Sequence, residues 1–167
     1  MATTDNLKAA FAGESQANRS YLAFAKKADA DGFKQIAKLF RAAAEAETVH
    51  ALAHFRVLGG VASTEANLEA AIAGEAHEAK DMYPAFLAEA EHEGNKGAAV
   101  SFRNALAVEK VHHALYSGAL AAFKEGRDLK GDRIWICPVC GNTVVGEEPP
   151  AACDVCGVPG DKFFEVR

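Results

Sequence analysis

The chain has 167 residues, eighteen Lys and Arg against twenty-three Asp and Glu, a formal charge of −5, and half its residues apolar. That composition excludes an intrinsically disordered chain and a disulfide miniprotein, and the mild acidity argues against a nucleic-acid binder, which needs a basic face. No apolar run reaches the roughly 18 residues of a membrane span. Residues 1–10 lack the basic flank and apolar core of a secretory signal, so the expectation is a cytoplasmic chain with reduced cysteines.

Taken in chain order, apolar residues recurring at three- and four-residue steps predict helices near 4–30, 33–58, 65–93 and 96–125. Thr3 or Thr4 is the candidate cap of the first helix, and Ser63 or Thr64 of the third. Gly32, Gly59-Gly60 and Gly94 mark the breaks. One stripe reads Leu68, Ile72, Glu75, Ala79, Met82, Phe86, and another Phe102, Leu106, Glu109, His113, Tyr116, Leu120; each places a glutamate on an apolar face. After the last helix the composition changes. Four of the five prolines and all four cysteines lie beyond it, with short β-type runs at Ile134-Trp135-Ile136 and Asn142-Thr143-Val144-Val145. The boundary falls near Lys130-Gly131-Asp132, giving expected domains of 1–130 and 131–167.

The helical part contains an internal repeat. Tyr21-Leu22-Ala23-Phe24 precedes Tyr83-Pro84-Ala85-Phe86 by 62 residues, and at the same offset Phe40-Arg41 matches Phe102-Arg103, Glu47 matches Glu109, and His50 matches His112. Gly13-Glu14 matches Gly74-Glu75 at an offset of 61, which implies one inserted residue in the second copy. Each copy reads as a helical hairpin, and two hairpins make a four-helix bundle.

Each hairpin supplies one glutamate on its first helix and a Glu-x-x-His on its second: Glu14 with Glu47 and His50, then Glu75 with Glu109 and His112. At i and i+3 the two side chains of each step emerge on one helix face. This is the donor set of di-iron and di-manganese carboxylate bundles, and burying so many carboxylates costs several kcal/mol per ion unless cations offset the charge. A single Glu-x-x-His step is usually a solvated pair; the repetition of the whole set is what favours metal. Glu78, three residues after Glu75, has Ala17 as its counterpart and breaks the symmetry. A harder ferric ion should prefer Glu78, where a ferrous ion tolerates neutral His50. Tyr21 and Tyr83 are candidates to hydrogen-bond the carboxylates. His54, His77, His92 and His113 read as surface or packing residues, His54 the least securely because it lies one turn beyond His50.

The tail carries two Cys-x-x-Cys-Gly knuckles, Cys137 with Cys140 and Cys153 with Cys156. Two such knuckles across a short loop signal one tetrahedral metal site. Spacing alone does not separate iron from zinc.

Together these stretches resemble the rubrerythrins. The resemblance runs over nearly the whole chain and rests on AGESQA at 12–17, EAETVHA at 45–51, NLEAAIAGE at 67–75, MYPAF at 82–86, EKVH at 109–112 and the two knuckles. It implies a ferritin-like four-helix bundle followed by a small, β-rich, rubredoxin-like module. It implies two irons held by Glu14, Glu47, His50, Glu75, Glu78, Glu109 and His112, and one iron, replaceable by zinc, held by Cys137, Cys140, Cys153 and Cys156. The implied activity is a peroxidase that reduces hydrogen peroxide to water in oxidative-stress defence, the cysteine-bound iron relaying electrons. Glu47 and Glu109 are expected to bridge, Glu14 and Glu75 to cap, and one iron to exchange His50 for Glu78 on oxidation. The implied donor is a rubredoxin or a flavoprotein reductase fed by a reduced nicotinamide. No Gly-x-Gly-x-x-Gly fingerprint is present for binding the nicotinamide directly. Ferroxidase or oxygen-reductase activity and iron handling are the alternatives at the same site, and a zinc-ribbon interaction protein is the alternative for the tail.

Ferritin-like topology makes the second and third helices parallel, so their connection must run the bundle's length. A 25-residue helix spans roughly 37 Å, whereas the Gly59–Thr64 linker extends to at most about 21 Å. The expectation is a homodimer in which hairpins are exchanged between copies.

Overall fold

The structure, a computed structural model, describes residues 2–166; Met1 and Arg167, the outer bounds of the two expected domains, lie outside the described residues. Its elements are α1 (Thr3–Ala30), α2 (Lys34–Val57), α3 (Thr64–His77), a π-helical turn (Glu78–Met82), α4 (Tyr83–His92), α5 (Lys96–Lys124), and three short strands, β1 (Ile134–Ile136), β2 (Thr143–Val145) and β3 (Phe164–Glu165). A helical bundle sequence with a small C-terminal sheet is the architecture expected. No described helix is long and apolar enough to cross a membrane. By its contacts the chain divides into two compact units, Met1–Ala62 and Ser63–Arg167.

The first unit is the α1–α2 hairpin. Phe11 stacks on Phe55, Asn18 bonds Thr48, and Arg41 pairs with Asp29, so contacts descend one helix while they ascend the other. Small residues make the close approach possible. Ala37, Ala44 and Ala51 recur every seven residues along α2 and are buried with Ala25 and Ala28 of α1. Asn18 is the buried polar exception. Its Nδ2 donates to the Ala44 carbonyl at 2.7 Å and to Thr48 Oγ1 at 2.8 Å. The expected Thr3 or Thr4 cap is not used: helix α1 already includes both threonines, and the Ala2 amide instead donates to Asp5 Oδ2 at 3.3 Å. The Ser63 cap forms, its hydroxyl accepting from the Ala66 amide at 3.2 Å.

In the second unit α3, the π turn and α4 pack along α5, burying Ala90, Ala99 and Val108. The expected single helix over 65–93 is therefore interrupted by a wider turn. A π turn accommodates one extra residue within a helix, and it lies between Glu75 and Tyr83, where the repeat offset changes from 61 to 62. On either side of it the repeat survives in detail. Tyr21, Phe24 and Phe40 form one ring cluster and Tyr83, Phe86 and Phe102 the other, with Phe–Phe centroids 5.6 Å apart in both. Arg41–Asp29 at 2.7 Å has its counterpart in Arg103–Glu91 at 2.6 Å.

The cysteine module is an antiparallel sheet in the order β2-β1-β3, with Trp135 opposite Val144 and Ile136 opposite Thr143. Its core is Cys137, Cys153 and Phe163, packed by Trp135, Val144, Val155 and Val158. A core this small cannot hold a fold unaided, so a cross-link or metal is needed.

Candidate metal centres

Two sets of three donors stand in the helices. In the first, Glu14 comes from α1 and Glu47 and His50 from α2. His50 Nδ1 lies 2.9 Å from Glu47 Oε2 and 3.9 Å from Glu14 Oε1. In the second, Glu75 comes from α3 and Glu109 and His112 from α5. His112 Nδ1 lies 2.8 Å from Glu109 Oε2 and 3.7 Å from Glu75 Oε1. The two geometries agree within 0.2 Å because both descend from the same step, a Glu-x-x-His on one helix face with a third carboxylate from the neighbouring helix. Within each set the donor atoms lie within 4.8 Å of one another, close enough to share an ion.

The electrostatics of the second set fit a cation. Burial, the adjoining Glu109 carboxylate and the charge of Glu78 push the Glu75 carboxyl up to about 7, against a smaller opposing effect of His112. Two carboxylates facing one another cannot both ionise cheaply. Burial and the charges of Glu78, Glu109 and Glu75 likewise raise Tyr83, keeping its phenol protonated. Glu78 itself opens the π turn and is not a member of the three-donor set; its reach is through its charge on Glu75 and Tyr83. Tyr21 packs against Phe24 and Phe40. His77 pairs with Asp81 at an exposed position, apart from both sets.

Cys137, Cys140, Cys153 and Cys156 converge, with Sγ atoms 3.6 Å apart in the pairs Cys137–Cys156 and Cys140–Cys153. A disulfide would bring sulfurs to about 2.0 Å. Metal–thiolate bonds of about 2.3 Å arranged tetrahedrally put sulfurs about 3.8 Å apart, so the quartet is sized for an ion. Each knuckle closes identically. The amide of Gly141 donates to the Cys137 carbonyl at 2.9 Å, and that of Gly157 to the Cys153 carbonyl at 2.8 Å. Both glycines take positive φ, +83° and +75°, a turn that L side chains resist. Burial raises Cys153, but the backbone amides of Cys156 and Val155 aimed at its sulfur outweigh that and bring it down to about 7. Burial raises the Cys140 and Cys156 thiols, so an ion must displace their protons.

Two polar residues at these centres were not anticipated from the sequence. Asn18, one turn after Glu14, is buried and bonds α2; its place on the inward face of α1 was a usable signal. Thr143 of β2 meets His112 Nε2 at 2.9 Å. It lies 31 residues from its partner in another module, and no local pattern announces it.

Comparison with known proteins follows the same division. A family model described as Rubrerythrin matches residues 5–120, and one described as Rubrerythrin, rubredoxin-like domain, matches residues 135–164. Rubrerythrin-2 of Clostridium acetobutylicum is 38% identical over 175 residues, covering 96% of this chain and 95% of its own length. Rubrerythrin of Porphyromonas gingivalis is 38% identical, covering 98% and 88%, and nigerythrin of Nitratidesulfovibrio vulgaris 37%, covering 96% and 85%. Solved structures of nigerythrin in mixed-valence and fully reduced, all-ferrous states align with a TM-score of 0.58 at 36% identity, over 99% of this chain and 87% of theirs.

The raised Glu75 carboxyl makes metal uptake pH-dependent. A proton held with a pKa of about 7 competes with the cation below that pH and not above it. Titrating metal-free protein with ferrous or cobaltous ion should show affinity falling as pH drops through about 7, by about tenfold per pH unit. Glu75→Gln should flatten that dependence. Wild-type affinity that is constant across this range would contradict the assignment.

Proposed function

The chain belongs to the rubrerythrin family, and from that premise we propose that it is a peroxidase, reducing hydrogen peroxide to two waters in defence against oxidative stress. Members of this family are oxidoreductases. Membership brings a di-iron carboxylate centre and a rubredoxin-like iron–tetrathiolate centre, and the donor sets described above fit both. The observation that carries the reading is the coexistence in one chain of two matched Glu-Glu-His sets and a tetrathiolate quartet. An iron store has no use for an attached one-electron carrier, and a zinc ribbon has no use for the carboxylates.

In this reading Glu14, Glu47, His50, Glu75, Glu109 and His112 would hold the metal pair, with Glu47 and Glu109 as the shared carboxylates, Glu14 and Glu75 as the terminal ones, and His50 and His112 each offering Nδ1. When bound, the pair supplies two electrons and a clamp on both substrate oxygens. Glu78 adds a carboxylate on the π turn able to take the place of His50. Tyr83, kept protonated by burial and by its acidic neighbours, holds a proton at its hydroxyl for the departing oxygens. Tyr21 is its counterpart in the first hairpin. Cys137, Cys140, Cys153 and Cys156 would hold the iron that supplies one-electron transfer from a rubredoxin or flavoprotein reductase. We place the division of labour at the 130/131 boundary, with metal chemistry in 1–130 and electron entry in 131–167. Four cysteines without a disulfide suit a reducing compartment, which we take to be the cytoplasm.

The partner we propose is a second copy. Helix α2 has 24 residues and is about 36 Å long. The six residues 58–63 extend to about 22 Å, too short to return along a ferritin-like bundle. Among the described residues each hairpin gathers one set of two carboxylates and a histidine, and α2 leaves Leu39 and Val49 more than 60% exposed, an apolar surface that pairing would cover. In the dimer, Glu14, Glu47 and His50 of one copy complete Glu75, Glu78, Glu109 and His112 of the other.

Stopped-flow oxidation of anaerobically reduced, iron-loaded protein tests the activity. Peroxide should oxidise the carboxylate-bound irons faster than dioxygen does, consuming one peroxide per two electrons; preferential reaction with dioxygen would favour the oxygen-reductase alternative. Co-expression of Glu47→Gln and Glu109→Gln chains tests the exchange of hairpins. Each variant alone should be inactive, and the mixed dimer should regain turnover, since one of its centres receives two unaltered hairpins. Mixed dimers as inactive as their parents would rule the exchange out.

A further inference from the structure

We propose that the Thr143 hydroxyl, supplied by the cysteine module, is a positioning group that holds the His112 ring in its metal-binding orientation and thereby couples the two metal centres. The inference rests on the reading of Glu75, Glu109 and His112 as ligands. The two nitrogens of the His112 ring meet different surroundings. Nδ1 faces carboxylates, 2.8 Å from Glu109 Oε2 and 3.7 Å from Glu75 Oε1. Nε2 lies 2.9 Å from Thr143 Oγ1, and that same oxygen lies 3.3 Å from the Gly141 carbonyl. A hydroxyl has one proton, and a carbonyl can only accept. Without a cation the Glu109 carboxylate, 2.8 Å from Nδ1, accepts from Nδ1–H, and Nε2 accepts from the Thr143 hydroxyl. With a cation on Nδ1 the ring proton lies on Nε2, and Thr143 can accept from it while donating to Gly141, so the hydroxyl holds the ring in either state, the arrangement by which an outer hydrogen bond orients a ligating histidine.

The repeat makes this contact informative. His50 has the same Nδ1 approach, 2.9 Å to Glu47 Oε2, yet its side chain is 54% exposed and no hydrogen bond to its Nε2 is found among the described residues. The duplicated hairpins supply two equal half-sites, and the cysteine module pins the histidine of only one. The His50 ring is held by carboxylates at Nδ1 alone, whereas the His112 ring is held from both sides.

The pin leads directly to the other centre. Gly141 follows Cys140, and its amide donates to the Cys137 carbonyl at 2.9 Å, so the carbonyl that orients Thr143 belongs to the first knuckle. That knuckle takes its shape when four thiolates close on an ion. Filling the cysteine site therefore presets His112, and coupling between two binding sites is reciprocal.

The test uses the full-length protein carrying zinc at the cysteines, with the carboxylates free of metal for the titration and zinc-loaded for NMR. Nitrogen–proton NMR of the zinc-loaded protein should show the His112 Nε2–H protected from exchange with water in wild type and in Thr143→Ser, and unprotected in Thr143→Val. Cobalt titration of the carboxylate site, followed by visible absorption, should show affinity weakened about 10–100-fold in Thr143→Val and near wild type in Thr143→Ser. If valine unfolds the module, Thr143→Ala carries the same expectation with a smaller side chain. Wild-type protection of the His112 Nε2–H together with wild-type cobalt affinity in the hydroxyl-free variants would overturn the proposal while leaving the ligand reading standing. Wild-type protein that takes up no cobalt at Glu75, Glu109 and His112 would overturn both. Neither readout involves peroxide.

Discussion

Carboxylates held against one another inside helical hairpins set the terms for this molecule. Glu75 and Glu109 stand so close that the first is driven up to about 7, by burial and by its neighbour. Without a cation that proximity costs stability; with one, the same oxygens become ligands. Much of the helical construction serves that approach. The seven-residue alanine spacing of Ala37, Ala44 and Ala51 brings α1 and α2 together, and the buried Asn18 fixes α1 to α2 one turn from Glu14. The cysteine module follows the same rule with thiols. Three core residues and a sheet of eight residues would not persist alone, and the knuckles hold four sulfurs at the spacing an ion requires.

The repeat supplies symmetry, and function resides in its departures from symmetry. Ring clusters and the Arg41–Asp29 and Arg103–Glu91 pairs recur between the hairpins almost contact for contact. Two features belong to the second hairpin alone. The π turn introduces Glu78 beside Glu75, and Thr143 approaches His112 from outside the helices. Both act on the set of Glu75, Glu109 and His112, and neither has a counterpart at Glu14, Glu47 and His50.

The sequence made some of this legible and not the rest, for physical reasons. Glu-x-x-His on a helix and Cys-x-x-Cys-Gly on a turn are local geometries, so spacing alone places each pair of side chains together, and repetition of the set is what points to metal. The fold brings Glu14, Glu47 and His50 together, then Glu75, Glu109 and His112, then the four cysteines. The offset change between Glu14/Glu75 and Tyr21/Tyr83 announced an extra residue, but not that it would widen the helix into a π turn rather than kink it. Helix α1 starts at Thr3 and takes both threonines inside it, and Asp5 accepts from the Ala2 amide, a bond different from the one a threonine cap would make. Thr143 was invisible because its role depends on how one module meets another, and periodicity carries no information about that.

The metal content of the purified protein, compared between wild type and Glu109→Gln, tests the metal assignment most directly, with the visible thiolate-to-iron bands as an internal count of the cysteine site. Wild type should carry a tetrathiolate iron together with an iron pair, and the variant a retained tetrathiolate iron with the pair lost. A Glu109→Gln protein that kept its full iron complement would contradict it.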